Sequence, residues 1–153
     1  LKEVLDYPAP PEEIEVLGRI ASGAQSAPIT GNPVALDDVR FLQDLTRRVY
    51  VDDAIRRYIV ALVATTRGGG PAPIPGLQRH VRVGASPRGS IALMQLAQSL
   101  AVLAGRAYVI PEDVTALRHS VLRHRLVRTL DALVDGVTAE SLIDAVFAAV
   151  PTP

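Results

Sequence analysis

The segment Ser86-Pro87-Arg88 carries the clearest sign of chemistry in this sequence. Serine is a preferred N-cap residue and proline is favoured at the first helical position, so the pair predicts that a helix begins here. Arg88 is then the second residue of that helix, where the positive end of the helix dipole disfavours a cation. A bound phosphate would remove this conflict, because the guanidinium and the free backbone N–H groups could bind it together. The alternative is that Arg88 extends into solvent or pairs with a distant carboxylate.

The arginines are concentrated in the middle of the chain, although the overall charge is balanced. Sixteen basic and sixteen acidic residues cancel among 153, yet no Asp or Glu occurs between Asp53 and Glu112. This acid-free block holds seven arginines, which are Arg56, Arg57, Arg67, Arg79, Arg82, Arg88 and Arg106. Such a block suits an anionic partner, either phosphate, nucleic acid or an acidic protein face. An equally good alternative is that these arginines pair with the acids of the two chain ends.

Other catalytic and metal-binding signatures are missing from the sequence. There is no cysteine, which excludes disulfides, thiolate ligands and a cysteine nucleophile. Lys2 is the only lysine, so no glycine-rich phosphate loop ending in Gly-Lys-Ser/Thr is present. His119 and His124 are five residues apart and do not share a helical face, so we predict no metal site. The adjacent pairs Asp37–Asp38 and Asp52–Asp53 stand near predicted helix starts, where capping and the helix dipole explain them.

Helical periodicity dominates the elements that must position Arg88. We predict six helices, over about 11–22, 36–50, 53–67, 87–104, 111–125 and 138–150, with short β segments near 80–83 and 108–110. Loops rich in Gly, Pro and Ser separate them at 24–34 and 67–76, and the pattern over 126–134 is ambiguous. Hydrophobic residues make up 48% of the chain, which excludes a disordered protein. The expected fold is mainly α, a helical bundle with at most one or two short β segments.

Four blocks of the sequence resemble, in order, the C-terminal lid of MoxR-type AAA+ ATPases. The blocks are Tyr58-Ile-Val-Ala-Leu-Val-Ala-Thr-Thr-Arg67, Gly84-Ala-Ser-Pro-Arg88, Gly105-Arg-Ala-Tyr-Val-Ile-Pro-Glu-Asp-Val114 and Val121-Leu-Arg-His-Arg-Leu126. The opening Asp6-Tyr-Pro-Ala-Pro-Pro-Glu-Glu13 is similar to the segment where that family's nucleotide-binding core passes into the lid. The resemblance implies an AAA+ lid fold, with residues 1–10 as a linker from a core domain absent here and residues 11–153 as the helical lid.

The resemblance also assigns a role to Arg88. In this family the arginine of Gly-Ala-Ser-Pro-Arg is the sensor 2 arginine, which contacts the γ-phosphate of ATP. Ser86 and Pro87 of the same motif are expected beside the nucleotide, and Gly89 follows where the family usually has a better helix former. ATP and Mg²⁺ would be held mainly by the core domain, whose Walker A and Walker B motifs do not occur in this sequence. The chain alone is therefore expected not to hydrolyse ATP.

For the whole protein, the resemblance implies a hexamer-forming, chaperone-like ATPase that remodels or matures partner proteins. The partners it implies are the core domain, neighbouring subunits of a homo-oligomer and a von Willebrand factor A-type protein. We expect a cytoplasmic location and no contact with a membrane, because no export signal or membrane span is recognised. Two alternatives stay open. One is a helical nucleic-acid-binding module, which the acid-free block favours and the zero net charge opposes. The other is a protein-interaction domain without an ATPase role.

Overall fold

The computed structural model describes residues 1–23, 31, 34–71 and 73–153. Its elements in chain order are α1 (Pro10–Ala21), α2 (Leu36–Arg48), α3 (Asp53–Thr65), α4 (Leu77–His80), β1 (Val81–Val83), α5 (Pro87–Leu103), α6 (Pro111–Ala116), α7 (Arg118–Leu122), β2 (Val127–Arg128), α8 (Leu130–Val134) and α9 (Ala139–Ala149). The prediction of a mainly α fold with at most two short β segments is confirmed. Most of the loop predicted over 24–34 lies outside the described residues.

The hydrophobic core lies where α3, α5 and α9 meet. The predicted core face of α3 is confirmed, since Ile55, Ile59 and Leu62 are all buried. Leu93, in the second turn of α5, and Ile143 of α9 are fully buried in the same cluster. Burying an aliphatic side chain of this size stabilises the fold by about 1.5–3 kcal/mol. The core therefore fixes α5, the helix that carries Arg88, at the centre of the bundle.

The first two helices stand outside this core. Neither α1 nor α2 contains a buried residue, although the sequence places Ile14 and Leu17 on one face of α1. Burial begins just after α2, where Val49 enters the core and its carbonyl accepts a hydrogen bond of 2.9 Å from the side chain of Gln98. The part of the molecule that positions Arg88 thus begins at Val49.

The predicted second helix ends two residues earlier than expected. Helix α2 ends at Arg48 rather than near Tyr50. The reason is a parallel β-bridge, in which the N–H of Tyr50 donates to the carbonyl of Ala107 and the N–H of Val109 donates to the carbonyl of Tyr50. These bonds hold Tyr50 extended, so it cannot continue the helix.

The two strands form a small antiparallel sheet beside the start of α5. Val81 lies opposite Arg128, and Val83 lies opposite Val127 with a register irregularity between the two pairs. The strand predicted near 80–83 is confirmed, whereas the ambiguous stretch 126–134 contains both β2 and the short helix α8. The sheet ties the segment that leads into α5 to the segment that follows α7.

The prediction of one continuous fifth helix is wrong, because this segment divides into α6 and α7 at Leu117. The Thr115 hydroxyl donates to the carbonyl of Pro111, and the guanidinium of Arg118 donates to the carbonyl of Thr115. Side-chain bonds of this kind compete with the helical backbone pattern and bend helices. The predicted last helix is confirmed to within a residue, and the Thr138 hydroxyl accepts from the N–H of Ser141.

Candidate functional site

Arg88 stands on the surface at the N-terminal end of α5. It is the second residue of this 17-residue helix, as predicted, and its side chain is exposed. Within the described residues, no carboxylate lies within 4.0 Å of its guanidinium. The alternative of a distant carboxylate partner is therefore not seen in this part of the chain. A cation at the positive end of a helix dipole, without a counter-charge, can take an anion.

The backbone around Arg88 adds a hydrogen-bond donor to the same surface. Pro87 has no N–H, and the N–H of Gly89 donates to the carbonyl of Ser86 at 2.7 Å. The N–H of Arg88 has no acceptor among the described residues. Ser86 occupies the N-cap position as predicted, and its hydroxyl makes no capping hydrogen bond. That hydroxyl is exposed and stays available to other partners.

The turn before α5 is anchored to the end of α3 by a buried threonine. The N–H of Ala85 donates to Thr66 Oγ1 at 3.0 Å, and that hydroxyl donates in turn to the carbonyl of Val63 at 2.6 Å. Thr66 and Ala85 are both fully buried. The turn also approaches the Thr66 backbone closely, since a Cβ at Gly84 would lie 2.4 Å from the Thr66 carbonyl oxygen.

Sequence reasoning did not single out these anchoring residues. The signal was present as two polar threonines, Thr65 and Thr66, at the end of an otherwise apolar core helix. Buried hydroxyls need hydrogen-bond partners, so such a pair predicts contacts to neighbouring backbone. Which backbone segment supplies the partner depends on the packing of α5 against α3, and this cannot be read from the local sequence.

Gly89 brings the first turn of α5 against α7. It is buried, and a Cβ at this position would lie 3.4 Å from Ala85 Cβ, 3.5 Å from Leu122 Cδ2 and 3.6 Å from Arg125 Cδ. The sequence suggested only a weaker helix former at this position. These are ordinary van der Waals distances, so an alanine would fit here, and they place the side chain of Arg125 beside the start of α5.

Two further arginines make the surroundings of this turn cationic. Arg67 is exposed, and its side chain passes close to Gly84. A Cβ built at Gly84 would lie 2.7 Å from Arg67 Cγ. Arg125 donates to the carbonyl of Val121 and contacts His124. Burial lowers the pKa of His124 below its usual range, and the positive charge of Arg125 lowers that pKa further. His124 is thus held towards its neutral form, as expected in a cationic environment.

The other arginines of the acid-free block divide into two groups. Pairing with acids at the chain ends is confirmed for three of the seven: Arg56 with Asp53, Arg79 with Asp131 and Asp135, and Arg106 with Asp113. The remaining four have no carboxylate within 4.0 Å in the described part of the chain, and they are Arg57, Arg67, Arg82 and Arg88. Of these four, Arg88 lies at the start of α5, and Arg67, which follows α3, lies beside the turn that precedes α5.

The pair Arg106–Asp113 is the best-formed ion pair of the block. The Arg106 guanidinium binds both carboxylate oxygens of Asp113, at 2.6 and 2.9 Å, and also donates to the carbonyl of Tyr108 at 2.9 Å. Asp113 in addition accepts from the N–H of Ile110 at 3.0 Å, which satisfies the N–H of the N-cap residue. Burial raises the pKa of Asp113, but these hydrogen bonds outweigh burial and leave the pKa below its usual range.

Neither a metal cluster nor a membrane span is found among the described residues. No group of three or more His, Asp or Glu side chains there is arranged to hold a metal ion. His119 bonds instead to Asp144 at 2.9 Å, across α7 and α9. No helix in the described ranges has both the length and the apolar character needed to cross a bilayer.

The architecture and sequence of the chain match those of a known domain class. A family model described as an AAA lid domain matches residues 77–146, which run from α4 into α9. A crystal structure of a candidate ATPase from Cytophaga hutchinsonii superposes with a TM-score of 0.81 at 25% identity, covering 97% of this chain and 45% of that one. The chain is thus an AAA+ lid domain of mainly α fold.

Two full-length relatives specify the class further. The chain is 37% identical over 147 residues to a protein of Mycobacterium tuberculosis named Chaperone MoxR1, covering 96% of this chain and 38% of that protein. It is 39% identical over 151 residues to the protein YeaC of Bacillus subtilis, covering 97% of this chain and 43% of YeaC. The chain belongs to the MoxR family of AAA+ ATPases, and it spans about two fifths of the length of these relatives.

Proposed function

We propose that this chain is the ATP-sensing lid of a MoxR-type ATPase, in which Arg88 contacts the γ-phosphate. The observation that carries the proposal is the exposed guanidinium at the start of α5, with no carboxylate partner among the described residues. It stands in the Gly84–Arg88 motif to which the family resemblance assigns the sensor 2 role. The N–H of Arg88, which has no acceptor among the described residues, and the exposed Ser86 hydroxyl lie in the same turn, so they would be the next contacts of the nucleotide, with Pro87 beside it.

The residues of this turn fit a phosphate group and not a metal ion. Bound ATP supplies the phosphoryl group that is transferred to water. Arg88 would stabilise the negative charge on the γ-phosphate oxygens, as clamping arginines do in phosphoryl transfer. The described residues hold no cluster of acidic ligands, so Mg²⁺ would be bound by the core domain. Because ADP lacks the γ-phosphate, the contact of Arg88 would be made in one nucleotide state and lost in the other.

The proposal extends to the whole protein, of which the lid would be one domain. Residues 1–10 would connect the lid to the nucleotide-binding core, and residues 11–153 would form the lid itself. The whole protein would assemble as a hexamer and use ATP hydrolysis to remodel partner proteins in the cytoplasm, with von Willebrand factor A-type proteins among the partners. The name Chaperone MoxR1 of the mycobacterial relative supports the remodelling role.

The test is ATP turnover by the full-length protein with Arg88 replaced by alanine. We expect turnover in Mg-ATP to fall about tenfold or more while nucleotide stays bound, because a clamping arginine acts mainly on the transition state. Arg57→Ala is the matched control. Arg57 is also exposed and without a carboxylate within 4.0 Å in the described residues, but it lies in the second turn of α3, towards the end of that helix away from Thr66. Its removal should leave turnover within about twofold of wild type.

Unchanged turnover in Arg88→Ala, with an active wild type, would contradict the proposal. The arginines of the acid-free block would then be tested for binding to nucleic acid. Binding to duplex DNA that weakens steeply with salt would favour that alternative, because counterion release governs such binding.

A further inference from the structure

Thr66 connects the core of the lid to the turn that presents Arg88. It follows α3 directly, and its hydroxyl both donates to the carbonyl of Val63 and accepts from the N–H of Ala85. Ala85 immediately precedes the N-cap of α5, so Arg88 is only three residues beyond this hydrogen bond. Among the described residues, no other side chain makes a hydrogen bond to the backbone of residues 84–86.

Burial makes this connection rigid. Thr66 and Ala85 have no exposed surface, so water cannot replace either partner without opening the core. A buried donor left without an acceptor is costly, which favours one position of the turn over its alternatives. The contact is reinforced from the other side, since Gly84 packs on the Thr66 carbonyl so closely that a Cβ would lie 2.4 Å from it.

We propose that Thr66 is a positioning residue for Arg88, which holds the start of α5 so that the guanidinium meets the γ-phosphate. This inference rests on the proposed function of Arg88 and deepens it. Thr66 touches no substrate itself. Its effect on turnover comes entirely through the placement of the turn, because a small misplacement of a catalytic group slows a reaction strongly.

The neighbouring threonine provides a matched control. Thr65 is equally buried, and its hydroxyl donates to the carbonyl of Ala61 at 2.8 Å within α3. Its side chain faces Gly70 of the glycine-rich loop rather than the turn before α5. Thr65→Val and Thr66→Val therefore each remove one buried hydroxyl, from adjacent positions. Only Thr66→Val removes the hydrogen bond to Ala85.

The experiment measures kcat and KM for ATP in the full-length protein, for wild type, Thr66→Val, Thr66→Ser, Thr65→Val, Arg88→Ala and the double variant Thr66→Val/Arg88→Ala. We expect Thr66→Val to lower kcat about tenfold with KM within about twofold, since the lost interaction belongs to the transition state.

Thr66→Ser keeps the hydroxyl and should restore kcat to within about threefold of wild type. Thr65→Val should stay within about twofold. The double variant should be no slower than Arg88→Ala, because both changes act through one group.

Three results would overturn the inference alone, with Arg88→Ala still slow. They are wild-type turnover in Thr66→Val, an equal loss in Thr65→Val, and losses that multiply in the double variant. Wild-type turnover in Arg88→Ala would instead overturn the proposed function and this inference together, so the two failures are distinguishable.

A second variant covers the case in which Thr66→Val does not fold. Gly84→Ala displaces the same turn and leaves the Thr66 hydroxyl in place, because the new Cβ meets the Thr66 carbonyl. We expect the same loss of kcat in Gly84→Ala, again without a further loss when it is combined with Arg88→Ala. Wild-type kcat in a folded Gly84→Ala protein would count against the inference.

Discussion

The two ends of α5 carry arginines of the same acid-free block in opposite situations. Arg88, at the N-terminal end, is exposed and lacks a carboxylate within 4.0 Å in the described residues. Arg106, three residues past the C-terminal end, is held by both oxygens of Asp113 and by the carbonyl of Tyr108. The comparison teaches that composition does not assign a role to an arginine. The polar groups within reach decide whether the charge serves stability or remains available to a ligand.

The largest effect on stability is expected from breaking the pair at the C-terminal end. Asp113→Ala removes two hydrogen bonds from Arg106 and the cap on the Ile110 N–H. Because Asp113 is only 6% exposed, we expect a loss of about 1–3 kcal/mol in the free energy of unfolding. Thermal denaturation of the 153-residue chain should show a fall in Tm of roughly 3 to 10 °C.

The matched change at the N-terminal end should leave stability almost unaltered. Arg88→Ala removes an exposed side chain, so the free energy of unfolding should stay within about 0.5 kcal/mol of wild type. A loss in Arg88→Ala as large as in Asp113→Ala would break the comparison. Asp131→Ala serves as a control for charge alone, because Asp131 pairs with Arg79 on the surface, where ion pairs contribute little.

Acid should erase the difference between wild type and Asp113→Ala. In the folded state the pKa of Asp113 lies below the value of about 3.8 that its carboxyl has in the unfolded chain. Near these pKa values the folded chain therefore binds fewer protons at Asp113 than the unfolded chain does. The stabilisation is therefore present above pH 3.8 and is lost as the pH falls through the lower folded pKa. Urea unfolding of both proteins at pH 7 and at progressively lower pH measures the difference. A gap that stays constant down to about pH 2 would contradict the role of the ionised carboxylate.

The smallest effect is expected at Ser86. Replacing an N-cap serine or threonine by alanine usually costs about 1 kcal/mol, through the lost side-chain bond to the backbone. The Ser86 hydroxyl makes no such bond, whereas the Thr138 hydroxyl accepts from the N–H of Ser141 at 3.0 Å. Ser86→Ala should thus cost less than about 0.5 kcal/mol and Thr138→Ala about 1 kcal/mol. Equal costs in urea unfolding would show that Ser86 caps α5 in solution.

Sequence patterns predicted the long elements well, because their information is local. The apolar spacing of α3, the Asp52 cap and the proline at the start of α5 each specify a helix without reference to the rest of the chain. The division of the fifth helix at Leu117 and the end of α2 before Tyr50 were missed. Both depend on bonds to groups brought close by packing, such as the bridge between Tyr50 and Tyr108.

The candidate site was predicted in part for the same reason. The position of Arg88 at a helix start follows from three consecutive residues and the physics of the helix dipole. The buried bond between Thr66 and Ala85 joins residues 19 positions apart, and its geometry depends on how α3 and α5 pack. Pairing of Arg79 with Asp131 and Asp135 likewise joins distant parts of the chain. Sequence alone therefore indicated the cation and not the framework that places it.

The central claim is that Arg88 recognises the phosphate that distinguishes ATP from ADP, and nucleotide affinity tests it most directly. Calorimetric titration of the full-length protein would measure the Kd of a transition-state analogue, ADP with aluminium fluoride, and of ADP alone, both with Mg²⁺, for wild type and Arg88→Ala. We expect the variant to lose about tenfold in affinity for the analogue, equivalent to about 1.4 kcal/mol, while its Kd for ADP changes less than about twofold. Equal changes for both ligands, or no change for either, would contradict the central claim.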